Sequence, residues 1–186
     1  GEFCRYLLGQ PERPTDRDHG IRLMVGNGLR AEIWDEFTER FGIDRVAEFY
    51  GASECNIAFI NALNQPRTAG VCPLPYAVVE YDPETGSARR DANGRLVRVG
   101  RGEVGLLLAK ITDRAPFDGY TDPDATESKL VRDGFDDGDV WFDTGDLVRS
   151  QGYMHVAFVD RLGDTFRWKG ENVATTQVEG AISSHD

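Results

Sequence analysis

Residues 21–54 read IRLMVGNGLRAEIWDEFTERFGIDRVAEFYGASE. An apolar run at 21–25 ends in Gly26-Asn27-Gly28, the pattern of a short buried strand leaving into a tight loop. Residues 30–41 then carry helical spacing. Ile33, Trp34, Phe37 and Phe41 fall on one face, with Glu32, Asp35, Glu36 and Glu39 elsewhere. Gly42 stands where a helix C-cap is expected. Residues 46–49 give a second short strand, followed by Tyr50-Gly51-Ala52-Ser53-Glu54. The result is a strand–helix–strand unit of an α/β fold. If its strands are parallel, both following loops open at one sheet edge, where open α/β sheets bind ligands.

Outward from this unit the pattern changes. After Pro66, turn signals recur at Asp82-Pro83-Glu84-Thr85-Gly86, Asn93-Gly94 and Ser150-Gln151-Gly152. Strands are expected between them at 77–81, 96–99, 104–111, 141–142 and 153–159, making a β-rich subdomain. Residues 113–139 are rich in Asp, Gly and Pro and read mostly as loop. Near the end, Thr176 and Glu179 have capping-box spacing, with Val178, Ala181 and Ile182 following. The sequence stops just after this helix begins, so the expectation is a chain cut within a second domain.

The formal charge of −11 argues against nucleic acid or an anionic membrane surface as a main partner. Hydrophobic content of 40% supports a packed core, and 21 glycines imply many turns. No apolar stretch approaches the roughly 20 residues needed to cross a bilayer. Cys4, Cys55 and Cys72 are odd in number and widely spaced, which fits a reduced intracellular protein better than a disulfide scaffold. They and the three histidines form no zinc-type pattern.

Four segments hold residues suited to chemistry. In residues 50–54, Gly51 permits close backbone approach, Ser53 offers a hydroxyl and Glu54 a hard oxygen ligand of the kind Mg²⁺ prefers beside phosphates. Tyr50 can stack on a base. An ordinary turn with a capping Ser-Glu has similar letters. In Trp141-Phe142-Asp143-Thr144-Gly145-Asp146, a carboxylate on a glycine turn can accept from both hydroxyls of a ribose. A plain hairpin turn reads alike. In Asp160-Arg161-Leu162-Gly163-Asp164, Arg161 can pair with phosphate or ribose oxygens and Gly163 can absorb a hinge rotation, or the segment is a charged surface turn. Residues 167–173, RWKGENV, alternate as a half-exposed strand does.

The order of these segments resembles the adenylate-forming enzyme superfamily. There a Tyr-Gly-x-Thr/Ser-Glu loop, a Thr-Gly-Asp turn and an Asp-Arg hinge pair follow one another, as residues 50–54, 144–146 and 160–161 do here. Gly26-Asn27-Gly28 matches the loop that packs near adenine, and Gly102-Glu103-Val104-Gly105 a recurrent structural turn. Residues 159–173, VDRLGDTFRWKGENV, residues 1–8, GEFCRYLL, and Tyr120-Thr121-Asp122-Pro123 are similar to the fatty-acid transport protein and very-long-chain acyl-CoA synthetase subfamily.

The resemblance implies an internal portion of an enzyme that activates a long-chain fatty acid as acyl-AMP and then transfers it to coenzyme A. It assigns ATP or AMP, Mg²⁺ and coenzyme A as ligands of the full-length parent. Glu54 would hold Mg²⁺. Asp146 would hold the ribose, and Arg161 would contact the nucleotide or lock the closed enzyme. Gly26, Asn27, Gly28, Phe49, Tyr50, Gly51 and Ser53 would line the adenylate pocket, and Gly170 would pack near the acyl-transfer site. By the same resemblance, residues 1–159 complete a large AMP-binding domain (1–65 α/β, 66–159 β-rich and barrel-like). Residues 160–164 form a hinge, and 165–186 open a small C-terminal α+β domain.

The family's Ser/Thr/Gly-rich phosphate loop and its adenylation lysine have no counterpart in these residues. Lys169 does not match that lysine, and Gly163 stands where relatives often carry Asp or Lys. The expected location is the cytoplasm or the inner face of a membrane, with any attachment supplied by other segments. Three other readings stay open: an adenylating enzyme for a different carboxylic acid, a non-catalytic nucleotide-binding or interaction module, and a purely structural β-rich domain. The isolated chain is expected to show negligible acyl-CoA synthetase activity. Robust turnover dependent on fatty acid and ATP by the purified chain would contradict this.

Overall fold

The computed structural model describes residues 2–52, 54–55, 57–168, 171–174, 178 and 181–182. Helix α1 (Glu2–Leu8) opens the chain, followed by strand β1 (Met24–Gly26), helix α2 (Ala31–Phe41) and strand β2 (Val46–Ala52). β1 and β2 are parallel, with Met24 opposite Val46 and Gly26 opposite Glu48. The strand–helix–strand unit is therefore present as the pattern predicts. α2 buries Trp34 and Phe37 and ends on Gly42 in the left-handed region. These two side chains pack with Cys4, Leu29, Ile43 and Val46 in a small core of their own. β1 begins three residues later than the apolar run suggests, and Ile21, Leu23 and Val25 are exposed.

Strand β2 runs through Tyr50 and Gly51 rather than ending at Phe49, and pairs antiparallel with β3 (Ile57–Ile60). β4 (Gly70–Val71) bridges β3 to β9 (His155–Arg161). β5 (Tyr76–Val79), β6 (Val104–Lys110), β7 (Leu130–Arg132) and β8 (Val140–Gly152) complete a sheet of order β1-β2-β3-β4-β9-β8-β6-β5, with β7 paired to β8. The sheet is continuous across residues 65 and 66. It is open, not closed as a barrel: β1 and β5 stand at opposite ends. Among the described residues, the strand expected at 96–99 is present as isolated bridges, Val79 to Arg98 and Arg90 to Leu96, and does not extend the sheet past β5.

β6 lies in the middle of the hydrophobic interior. Leu106 and Leu108 join Trp141 and Leu147 on one face, while Leu107 joins Phe59, Phe142 and Val156 on the other. Burial on both faces explains its unbroken apolar run. Residues 113–139 are less irregular than their composition suggests, since they hold β7 and the short helix α3 (Pro123–Ser128). Asp122 caps α3 by accepting from the Asp124 N–H. After a 3₁₀ turn (Leu162–Asp164), β10 (Thr165–Trp168) and β11 (Glu171–Ala174) form a separate antiparallel pair, so RWKGENV is divided between two strands and is not the one strand its alternation suggests. The capping box of Thr176 and Glu179 lies outside the described residues.

Gly70 is held at φ 100°, and a Cβ there would sit 2.1 Å from the Ile60 carbonyl carbon and oxygen. Both the backbone angle and the contact exclude a side chain at the point where β4 joins the two parts of the sheet. Gly70→Ala is expected to destabilise the chain by about 3 kcal/mol or more, because the clash is with backbone. A urea midpoint unchanged from wild type would refute this.

Candidate functional site

A cleft of about 680 Å³ opens where the α/β unit meets the β-rich part. That volume falls within the range of small-molecule sites, roughly 300–1,000 Å³. Asn27 and Gly28 line it from the loop after β1, and Phe49, Tyr50, Gly51 and Glu54 from β2 and its loop. Asp146 and Arg161 face it from β8 and β9. Residues 134 positions apart are thus brought together. Gly26 does not line the cleft; it is the last residue of β1, paired with Glu48. Ser53 and Gly170 lie outside the described residues.

Asp146 reaches the cleft because β8 is not a regular strand. Leu106 faces Leu147 while Leu108 faces Asp143, so residues 144–146 bulge opposite Leu107 alone. The Thr144 hydroxyl donates to the Leu107 carbonyl at 2.8 Å and fills the gap in the ladder. Gly145 takes φ 71°, a conformation that a side chain would resist. The sequence reads Thr-Gly-Asp as a turn. In the structure it is a bulge inside a 13-residue strand, because the strands flanking it are already paired on both sides.

The Asp146 carboxylate is buried at 4% exposure. Its Oδ2 accepts from the Tyr50 hydroxyl at 2.5 Å, and its Oδ1 from Arg161 Nε at 3.3 Å. Burial raises its pKa, opposed by Tyr50 and Arg161. Burial also pushes the Tyr50 phenol up, with the Asp146 charge adding to the effect. Asp143 is shifted upward by burial too, while its side chain accepts from the Gly145 N–H. Tyr50 packs against Phe59 and Phe158, at ring-centroid distances of 5.9 and 6.0 Å. The cleft so combines a flat aromatic wall with a buried acceptor pair.

Sequence reasoning missed Glu48 and Phe158, which also line the cleft. Glu48 is 5% exposed; its Oε1 accepts from the Leu29 N–H at 3.1 Å, and its Oε2 has no hydrogen-bond partner among the described residues. An acid inside the apolar strand VAEFY was the available signal. Phe158 gave none, since nothing in its surroundings distinguishes it from any strand aromatic. Among the described residues, no group of three or more His, Cys, Asp or Glu is arranged to hold a metal ion. A single carboxylate such as Glu54 still suits Mg²⁺, which commonly takes one or two carboxylates and completes its shell with phosphates and water.

No protein-family model matches the chain. Over 184 residues it is 67% identical to the medium/long-chain-fatty-acid–CoA ligase FadD6 of Mycobacterium tuberculosis, an alignment covering 99% of this chain and 31% of that protein. Its fold matches the ATP-bound MatB of Rhodopseudomonas palustris with a TM-score of 0.65 and 25% identity, over 100% of this chain and 34% of that one. The chain is homologous to part of the adenylate-forming acyl-CoA ligases. Long-chain fatty acid transport protein 2 of Rattus norvegicus is 44% identical over 196 residues, covering 100% of this chain and 31% of the relative. The resemblance read from the motifs is therefore borne out. The chain spans about a third of the length of these relatives. Among the described residues, no helix is long and apolar enough to cross a membrane.

Burial pushes the Glu48 carboxyl up to about 7, against the pull of the Leu29 and Gly28 backbone N–H groups. The folded chain thus holds this proton more tightly than the unfolded chain, where the ordinary value is 4.5. The sign follows: Glu48 costs stability as pH rises between these two values, and the cost is complete above the folded one. Between about pH 5 and pH 8, wild type should lose on the order of 1–3 kcal/mol relative to Glu48→Gln. Parallel denaturation curves for the two proteins across that range would show that the burial carries no such cost.

Proposed function

We propose that this chain forms the adenosine-binding side of an ATP-dependent fatty-acid–CoA ligase whose remaining residues lie outside it. The observation that carries this reading is the convergence of three separated motifs on one cleft, with the Asp146 carboxylate buried at 4% exposure in its wall. A carboxylate held this way suits the two hydroxyls of a ribose, and Tyr50 and Phe158 offer flat surfaces to a base. The loop of Asn27 and Gly28 gives backbone polar groups at the opposite wall.

In this reading a fatty carboxylate oxygen attacks the α-phosphate of ATP, forming acyl-AMP and releasing pyrophosphate. The thiol of coenzyme A then attacks the acyl carbon and AMP leaves. Glu54 holds Mg²⁺, which would offset the charge of the phosphates. Asp146 fixes the ribose. Arg161, 72% exposed at its side chain, turns from Asp146 toward the nucleotide or locks the closed enzyme. Phe49 and Gly51 shape the pocket, Gly26 acts only by leading β1 into the loop that does, and the pocket and acyl-transfer roles of Ser53 and Gly170 fall on residues outside the described ones. Residues 1–159 belong to the large domain, 160–164 act as the hinge, and 165–186 begin the small domain. The protein acts mainly by placement and charge stabilisation. The fatty-acid specificity rests on the relatives' printed names, and the reading places the protein in the cytoplasm or at the inner face of a membrane.

The test is a calorimetric titration of a non-hydrolysable long-chain acyl-adenylate mimic into the chain, with Asp146→Ala alongside. Saturable binding to wild type is expected, with at least a tenfold loss, about 1.4 kcal/mol, in the variant. Equal binding by the two folded proteins would remove Asp146 from the site and overturn the reading.

A further inference from the structure

Asp146 has few ways to receive a ligand. An ionised carboxylate only accepts hydrogen bonds, at about four lone-pair sites on two oxygens, and with Asp146 4% exposed few of these face the cleft. Here Oδ2 is taken by the Tyr50 hydroxyl and Oδ1 by Arg161 Nε. With 4% of the residue exposed, a ligand must reach the carboxylate through the cleft, where both of these groups stand. They differ in how readily they yield. The Arg161 contact is 3.3 Å long, and the side chain is 72% exposed. The Tyr50 bond is 2.5 Å, and its ring is packed against Phe59 and Phe158. A short hydrogen bond from a packed ring to a charged acceptor is the harder one to exchange.

Resting on the nucleotide reading above, we propose that Tyr50 is a latch on Asp146. Its hydroxyl occupies the acceptor that a vicinal diol needs. Binding of a ribose-bearing ligand exchanges the phenol–carboxylate hydrogen bond for a diol–carboxylate one. No covalent bond changes, and the phenol keeps its proton. The apparent dissociation constant for a diol is then the intrinsic one divided by the unlatched fraction. A ligand lacking the diol gains nothing from Asp146, so its affinity is indifferent to the latch. Tyr50 thereby sets how strongly the cleft prefers ribose over deoxygenated sugars.

Calorimetric titration of AMP and of 2′,3′-dideoxy-AMP into wild type and Tyr50→Phe, with Asp146→Ala as the control, decides the matter. Tyr50→Phe is expected to bind AMP roughly tenfold more tightly while its affinity for the dideoxy nucleotide is unchanged. Detectable AMP binding by the variant alone would support the latch as well. If AMP affinity in Tyr50→Phe is equal or weaker, while Asp146→Ala abolishes binding, the latch is wrong and the nucleotide reading stands. An equal gain for both nucleotides also overturns the latch, because the gain would not pass through the diol. If neither folded protein binds AMP, both proposals fall. Wild type supplies a check that needs no variant. Saturating AMP should produce an ultraviolet difference signal from a tyrosine leaving a carboxylate, and a flat spectrum at saturation overturns the latch.

Discussion

Strand β8 must serve two ends that a regular strand cannot serve together. It fills the ladder between β6 and β9, and it delivers a carboxylate out of the sheet plane into the cleft. The bulge at residues 144–146 meets both demands. Thr144 supplies with its side chain a bond to the Leu107 carbonyl, and Gly145 supplies the turn. Asp146 is then displaced toward Tyr50, while the flanking Phe142 and Leu147 stay buried. The rest of the site is arranged around that displacement. Tyr50 meets the carboxylate from β2, and Arg161 meets it as its cross-strand neighbour on β9.

The electrostatic character of the cleft follows from the same arrangement. Glu48, Glu54 and Asp146 all face it, against Arg30 and Arg161. A polyanionic ligand would not fill such a space uniformly. In the proposed reading its neutral sugar and base would lie toward Asp146 and Tyr50, and its phosphates toward the arginines and a cation that Glu54 would hold. Burial decides how far each acid keeps its charge. Asp146 is helped by two donors, whereas Glu48 accepts from the Leu29 N–H on Oε1 and has no partner for Oε2 among the described residues.

Much of this was legible in the sequence, for identifiable reasons. The unit from β1 to β2 was readable because α2 shows its apolar face at helical spacing and stops at Gly42. β6 was readable because an unbroken apolar run has few other uses in a chain of this composition. The motif residues on the cleft were found because their types match the chemistry. What escaped is tertiary. β4 is two residues long and has no pattern of its own; it exists because β3 and β9 leave an edge on either side. Residues 133–139 read as loop by composition. In fact the Asp139 carboxylate organises them by accepting from the N–H groups of Gly134, Phe135 and Asp136 and from the Trp141 indole. Periodicity cannot report a turn built around one side chain. Thr144-Gly145-Asp146 reads as a terminal turn in the sequence and is a bulge in the structure, since the two share the same letters.

The two-residue strand β4 is the seam of the molecule. On one side lie α2 and strands β1 to β3, and on the other the long strands β6, β8 and β9. The cleft lies along this seam, with Ala69 beside β4 contributing to its wall. A molecule that grips Asn27 and Tyr50 with one end and Asp146 with the other therefore spans a weakly hydrogen-bonded joint. Its binding energy would be felt as cohesion between the two halves. Backbone pairing along this line is short, but Phe59 packs with Leu107, Phe142 and Val156 across it and Tyr50 bonds Asp146 across it, so side chains hold the joint and an occupant of the cleft would add to the same cohesion. Recognition and mechanical integrity are in this way the same property of the fold, measured from opposite sides of one seam.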